Sequence, residues 1–142
     1  MTVLTRPSFY ILRPEEVDQV WSLIAPGVAR ALETSDGETD LESTRAALAT
    51  GRTTLMLFGG EDSYFGVIFQ FLTFPKAKVF RIILAFGKRM EDQRKAFAEA
   101  EAWAKRQGCK WVEAWVATES RVRLFGRYGY RPRYTVIRKE LP

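Results

Sequence analysis

Residues 79–86 read VFRIILAF, and this short, almost unbroken apolar run constrains the fold more than any other segment. A strand with one wet face alternates apolar and polar residues, whereas a run interrupted only by Arg81 marks a strand covered on both faces. Such a strand requires helices on either side of its sheet. The rest of the chain supplies them.

Phe9–Leu12 reads as a first strand, and Pro14-Glu15-Glu16 has the proline and acidic first turn of a helix start. Val17, Val20, Trp21, Ile24 and Val28 then recur at helical spacing as far as about Leu32, with Pro26-Gly27 expected to kink or break that helix. Thr39/Asp40 caps a second helix through about Ala49, and Gly51 ends it. Residues 53–58 and 64–74 are β-branched and aromatic runs joined by a Gly-rich hairpin. After 79–86, a long helix is predicted from about Arg89 to Gln107, then a strand over 111–116, a short helix over 119–128 closed by Gly129, and a last strand over 134–139. The order is β-α-α-β-β-β-α-β-α-β.

With 142 residues, 46% hydrophobic and 27% charged, the chain is read as one soluble domain spanning 1–142. It has no histidine, which removes the commonest general base and metal ligand; triad hydrolysis and zinc chemistry are disfavoured, and no metal site is expected. The single cysteine, Cys109, excludes an intramolecular disulfide and reads as a small buried hydrophobe. No stretch resembles a signal peptide or approaches the roughly 18–20 apolar residues of a membrane span, so a cytoplasmic location is expected. Charge is uneven: residues 1–71 carry 5 Lys/Arg against 10 Asp/Glu, a net −5, and residues 72–142 carry 17 against 7, a net +10. The cationic half suits a phosphorylated cofactor, nucleic acid or an acidic surface.

That element order, together with "FAEAEAWAKRQGCKWVEAWV…LFGRYGYRPRYTVIRKEL", resembles the GNAT (Gcn5-related N-acetyltransferase) superfamily over about residues 53–141. The most specific piece is Tyr128-Gly129-Tyr130-Arg131-Pro132 followed by a closing strand. The resemblance implies an α/β fold with a mixed sheet, helices on both faces, and a splay between two central parallel strands at 79–86 and 111–116. It also implies acetyl-CoA as cofactor. Ile83, Leu84 and Ala85 would pair through their backbone with the pantetheine arm, as in strand addition. The pyrophosphate would rest at the start of the following helix. The family's Arg/Gln-x-x-Gly-x-Gly/Ala turn is not kept there; Gly87, Lys88, Arg89, Arg94 and Lys95 are the residues left to surround the phosphates, with Glu91 and Asp92 opposing them.

For proton transfer the resemblance implies a tyrosine at the second position of a Leu-Tyr pair, which stands here as Leu124-Phe125. Phenylalanine donates no proton, so Tyr128, Tyr130 or water must substitute. The family's frequent glutamate on the central strand is also missing, leaving Glu113 on the next strand as the available carboxylate. Trp111, Glu113 and Trp115 alternate along that strand and share one face, either lining an acceptor pocket or packing the sheet.

The function implied is an acetyl-CoA-dependent N-acetyltransferase, an acyltransferase acting on a small-molecule or protein amine. The alternative is a GNAT-fold binding protein without the chemistry. Val116, Ser120, Arg123, Leu124 and Phe125 fit a pattern similar to small GNAT-like proteins of tailed bacteriophages, some of them virion-associated, which would place the chain in the host cytoplasm or the virion. Arg121, Arg123, Arg127, Arg131, Arg133, Arg138 and Lys139, interleaved with Phe125, Tyr128, Tyr130 and Tyr134, also suit nucleic-acid contacts, though the same aromatics are expected to pack the core. No membrane partner is expected, and a homodimer is compatible with the sequence.

Overall fold

The structure, a computed structural model, describes all residues except 1–8, 35–36, 60–62 and 89–92, and the side chain of Lys88. The elements are β1 (Phe9–Leu12), a 3-10 turn (Pro14–Glu16) running into α1 (Val17–Ala31), a second 3-10 turn (Leu32–Thr34), α2 (Leu41–Ala49), β2 (Thr54–Gly59), β3 (Tyr64–Phe74), β4 (Ala77–Lys88), α3 (Gln93–Arg106), β5 (Trp111–Ala114) and α4 (Glu119–Arg127). They form one five-stranded sheet in the order β1-β2-β3-β4-β5, antiparallel except for the parallel β4/β5 pair.

Both faces of the sheet are covered, as residues 79–86 require. On one face Met56, Phe58, Phe65, Val67, Phe69, Phe80 and Ile82 pack against Ala96, Phe97, Ala100 and Ala104 of α3, with Phe125 of α4 beside them. On the other, Leu55, Leu57, Tyr64, Ile68 and Phe86 pack against Val17, Trp21, Ile24 and Val28 of α1 and Leu48 of α2. Each fully buried side chain of this size contributes about 1.5–3 kcal/mol, so the two layers hold most of the folding energy.

Local signals set the helix ends. Asp40 accepts a 2.7 Å bond from the Ser43 amide at the start of α2, and Thr118 accepts one of 3.3 Å from the Arg121 amide at the start of α4. Gly129 (φ +94°) turns the chain back after α4, so that the Tyr130 amide donates to the Phe125 carbonyl at 3.0 Å.

Four sequence expectations are corrected. The helix is not broken at Pro26: α1 is continuous through it, because Pro26 lies on the exposed face while the buried row of Val17, Trp21, Ile24 and Val28 outweighs the roughly 3 kcal/mol of an internal proline. The strand over 111–116 stops at Ala114. Residues 134–139 form no strand: they pair with none of β1–β5 among the described residues, so their β propensity is not realised. For the same reason β5 is not central but forms the edge of the sheet. The expected helix start at Arg89 lies outside the described residues.

Candidate functional site

The departure of β5 from β4 begins at a bulge. In the β3/β4 register, Ile68 opposes Leu84 and Phe69 opposes Ile82, so Ile83 has no partner. An extra residue shifts the alternation and strengthens the local twist: Phe80 and Ile82 face α3 before the bulge, and Ala85 packs on that side after it. β5 pairs with β4 only from Val79↔Trp111 to Ile82↔Ala114. Past Ile83 the two strands have separated, and no strand among the described residues takes the β5 side of β4.

The separation opens on a cleft of about 300 Å³, lined by Gly27, Arg30 and Ala31 of α1, Phe65, Ala85, Phe86 and Gly87 of the sheet, Gln93 and Phe97 of α3, and Arg121, Leu124 and Phe125 of α4. Gly27 is required by the close approach of α1, since a Cβ there would lie 3.0 Å from the Tyr64 hydroxyl and 3.3 Å from the Phe86 ring. The wall is apolar at its base, carries two arginines, and holds no carboxylate, hydroxyl or thiol among the described residues.

Of the residues singled out for cofactor binding, Ala85 and Gly87 line this cleft. Ile83 is the bulged residue and is exposed, and Leu84 points to the α1 side. Arg94 is exposed at the start of α3 and is not among the lining residues. The Lys88 side chain and Arg89 lie outside the described residues. Arg30, Gln93 and Arg121 were not singled out for this role, because a lone arginine on the polar face of a helix gives no sign of what it faces.

The three acid/base candidates lie outside the lining. Glu113 is held by Arg81, whose Nε and guanidinium nitrogen both reach Oε2 at 2.7 Å, and its Oε1 accepts from the Trp111 indole at 3.1 Å. Arg81 also lies 5.2 Å from the Trp115 ring, so Trp111, Glu113 and Trp115 do share one face, organised around this arginine. Tyr128 packs its ring on Phe97 and Phe125. Tyr130 lies against Phe125 and donates its hydroxyl to Glu101 at 2.7 Å.

Burial and the neighbouring Glu101 carboxylate push the Tyr130 phenol far above the ordinary tyrosine range, which keeps its proton in place. A pKa raised by folding contributes stability that is complete below the unfolded value, about 10, and disappears as pH rises above it. Tyr130→Phe is therefore expected to cost about 1–2 kcal/mol at neutral pH and to reduce the loss of stability above pH ~10. Urea denaturation of both proteins across the alkaline range measures this; parallel pH profiles would dissolve the assignment. Burial also raises the Cys109 thiol pKa, which makes it a poor nucleophile.

The same architecture recurs in solved proteins. A ribosomal-protein-alanine N-acetyltransferase from Brucella melitensis biovar Abortus superposes with a TM-score of 0.67 at 13% identity, covering 94% of this chain and 98% of that one. A GNAT family acetyltransferase from Staphylococcus aureus superposes with a TM-score of 0.66 at 14% identity, covering 94% and 97%. An aminoglycoside acetyltransferase from an uncultured soil metagenomic sample, in complex with sisomicin, gives 0.66 at 10% identity, covering 94% of each chain. No protein-family model matches the sequence, and no curated protein matches it significantly. At these identities the likeness establishes the fold: the chain is a single α/β domain with the GNAT architecture of these acetyltransferases. Among the described residues, no helix is long and apolar enough to cross a membrane.

Proposed function

We propose that the protein is an acetyl-CoA-dependent N-acetyltransferase acting on an amine in the cytoplasm. The observation that carries this reading is the cleft beyond the Ile83 bulge, where β4 has lost its neighbour and Arg30 and Arg121 are among the lining residues. The fit is chemical. A strand edge without a neighbour offers alternating N–H and C=O groups to an amide-bearing arm, and Ala85 and Gly87 lie where such an arm would run. Arg30 and Arg121 offer planar charged donors to phosphate oxygens. Acetyl-CoA would supply an activated acyl thioester. The protein's part is to align that group with an amine and exclude bulk water, using Phe97, Leu124 and Phe125; among the described residues its wall carries no carboxylate, hydroxyl or thiol, so solvent takes the amine's proton.

Calorimetric titration with acetyl-CoA tests the reading, with micromolar binding expected. The double substitution Arg30→Glu/Arg121→Glu should weaken it at least about tenfold, since each charge-assisted contact is worth roughly 1.5–3 kcal/mol. Absence of binding at millimolar ligand overturns it.

A second reading, a GNAT-fold binding protein such as a virion-associated phage protein, is favoured by the engagement of Glu113 with Arg81 and of Tyr130 with Glu101. Acetyl-CoA binding without release of free coenzyme A across a panel of amines would favour it over the transferase.

A further inference from the structure

We propose that α4 is a movable wall of the cleft, latched to α3 by Tyr130 and Glu101 and drawn shut by an anionic ligand that contacts both Arg30 and Arg121. Tyr130 and Glu101 are then positioning residues: neither lines the cleft, and each acts through the helix that does. The identity of the ligand rests on the proposed function; the movement of α4 does not.

α4 is held differently from the other helices around the cleft. α1 buries a row from Val17 to Val28, and α3 buries Ala96, Phe97, Ala100 and Ala104, whereas no residue of α4 is buried. On its N-terminal side the connection is the segment 115–118, which belongs to no element. On its C-terminal side Phe125 and Tyr128 set their rings on Phe97 of α3, with centroids 5.3 and 5.5 Å away. Tyr130 packs on Phe125 and donates its hydroxyl to Glu101, which stands four residues after Phe97 and therefore on the same face of α3. The dock is one patch, aromatic at Phe97 and polar at Glu101. A helix of nine residues is too short to persist unsupported, so α4 keeps its backbone ladder only while docked.

The charges oppose the dock. α4 carries Arg121, Arg123 and Arg127 against Glu119, and Arg121 lines the cleft together with Arg30 of α1, with no carboxylate among the described lining residues. Like charges that share a cleft repel each other, and an anion touching both turns that repulsion into attraction. The latch holds α4 against the repulsion; the anion removes it and draws α4 toward α1.

Native-state hydrogen exchange of the full chain, followed as a function of urea below the unfolding transition, tests the proposal. The amides of residues 122–128 should exchange through an opening that urea hardly affects, while those of α3 and β3 exchange through global unfolding and respond steeply. Tyr130→Phe and Glu101→Ala should each speed exchange at 122–128 about tenfold without making it urea-sensitive, and the double variant should add nothing further. Glu101→Gln keeps an acceptor for the hydroxyl and should retain most of the protection. Millimolar inorganic pyrophosphate or acetyl-CoA should slow exchange at 122–128 at least about fivefold in the wild type and leave Arg30→Glu/Arg121→Glu unchanged. Slowing by pyrophosphate but not by acetyl-CoA would remove the proposed function and leave the latch standing. Exchange at 122–128 with the urea dependence of α3 overturns the proposal, as do additive effects of the two latch substitutions or no slowing by either anion. If a latch variant fails to fold, the urea series and the pyrophosphate titration on the wild type still decide.

Discussion

Gly66→Ala is expected to destabilise the protein by about 1–3 kcal/mol and, under the proposed function, to reduce acetyl-CoA affinity well beyond what a mere loss of stability produces. Gly66 on β3 stands directly opposite Phe86 on β4, and the Phe86 ring lies across the space that a side chain would occupy. A Cβ at position 66 would fall 2.3 Å from Cζ, 2.6 Å from Cε2 and 2.9 Å from Cε1 of that ring, so the ring must leave. On the α1 side it already meets the Tyr64 ring at 6.1 Å and would crowd a Cβ at Gly27, which leaves the cleft as its outlet. One methyl group therefore converts a packing fault into a blocked site. Urea midpoints and a ligand titration of Gly66→Ala, Phe86→Leu and the double variant form the appropriate cycle. The smaller Leu side chain should restore part of both quantities; strictly additive effects would mean that the two residues do not compete for the same space.

Much of the fold was legible because burial writes itself into composition. The run 79–86 is apolar on both sides of the chain because α1 and α3 cover both faces, and its one interruption, Arg81, is the residue that meets Glu113. The bulge at Ile83 was not legible for the same reason. A one-residue shift of phase shows only against an alternating background, and IILAF has none. Ala85 and Gly87, read from the sequence as cofactor-binding residues, line the cleft, while Arg30 on α1 and Arg121 on α4 reach its wall through tertiary packing that no local pattern records. The pairing of Tyr130 with Glu101 across 29 positions is of the same kind. The segment 134–139 shows the converse. Its β-branched and aromatic residues predict a strand that the structure does not form, since a strand exists only where another strand accepts its hydrogen bonds.

The largest loss of stability is expected for Phe80→Ala, about 3–5 kcal/mol, because Phe80 joins three elements at once. It sits on β4 opposite Phe71 of β3 and Val112 of β5, fully buried. Its ring stacks on Phe69 with centroids 4.4 Å apart and planes 17° from parallel, and meets Trp103 of α3 edge-on at 6.2 Å. Removing it leaves a cavity that Phe69 and Trp103 cannot close, since each is also held by Phe71. For a domain whose total stability is of the order of 5–15 kcal/mol, the corresponding fall in Tm is roughly 10–20 °C. Phe74→Ala, at the exposed last residue of β3, should change stability by no more than about 0.5 kcal/mol and controls for the loss of a ring as such. The expected effect is local as well as large. β5 is held to the sheet by only four residue pairs, one of them Phe80↔Val112, so hydrogen exchange in Phe80→Ala should accelerate first at 111–114, ahead of β2 and β3. Uniform acceleration across all five strands would show instead that β5 shares the stability of the whole sheet, and that its pairing with β4 is not the weak seam next to the cleft.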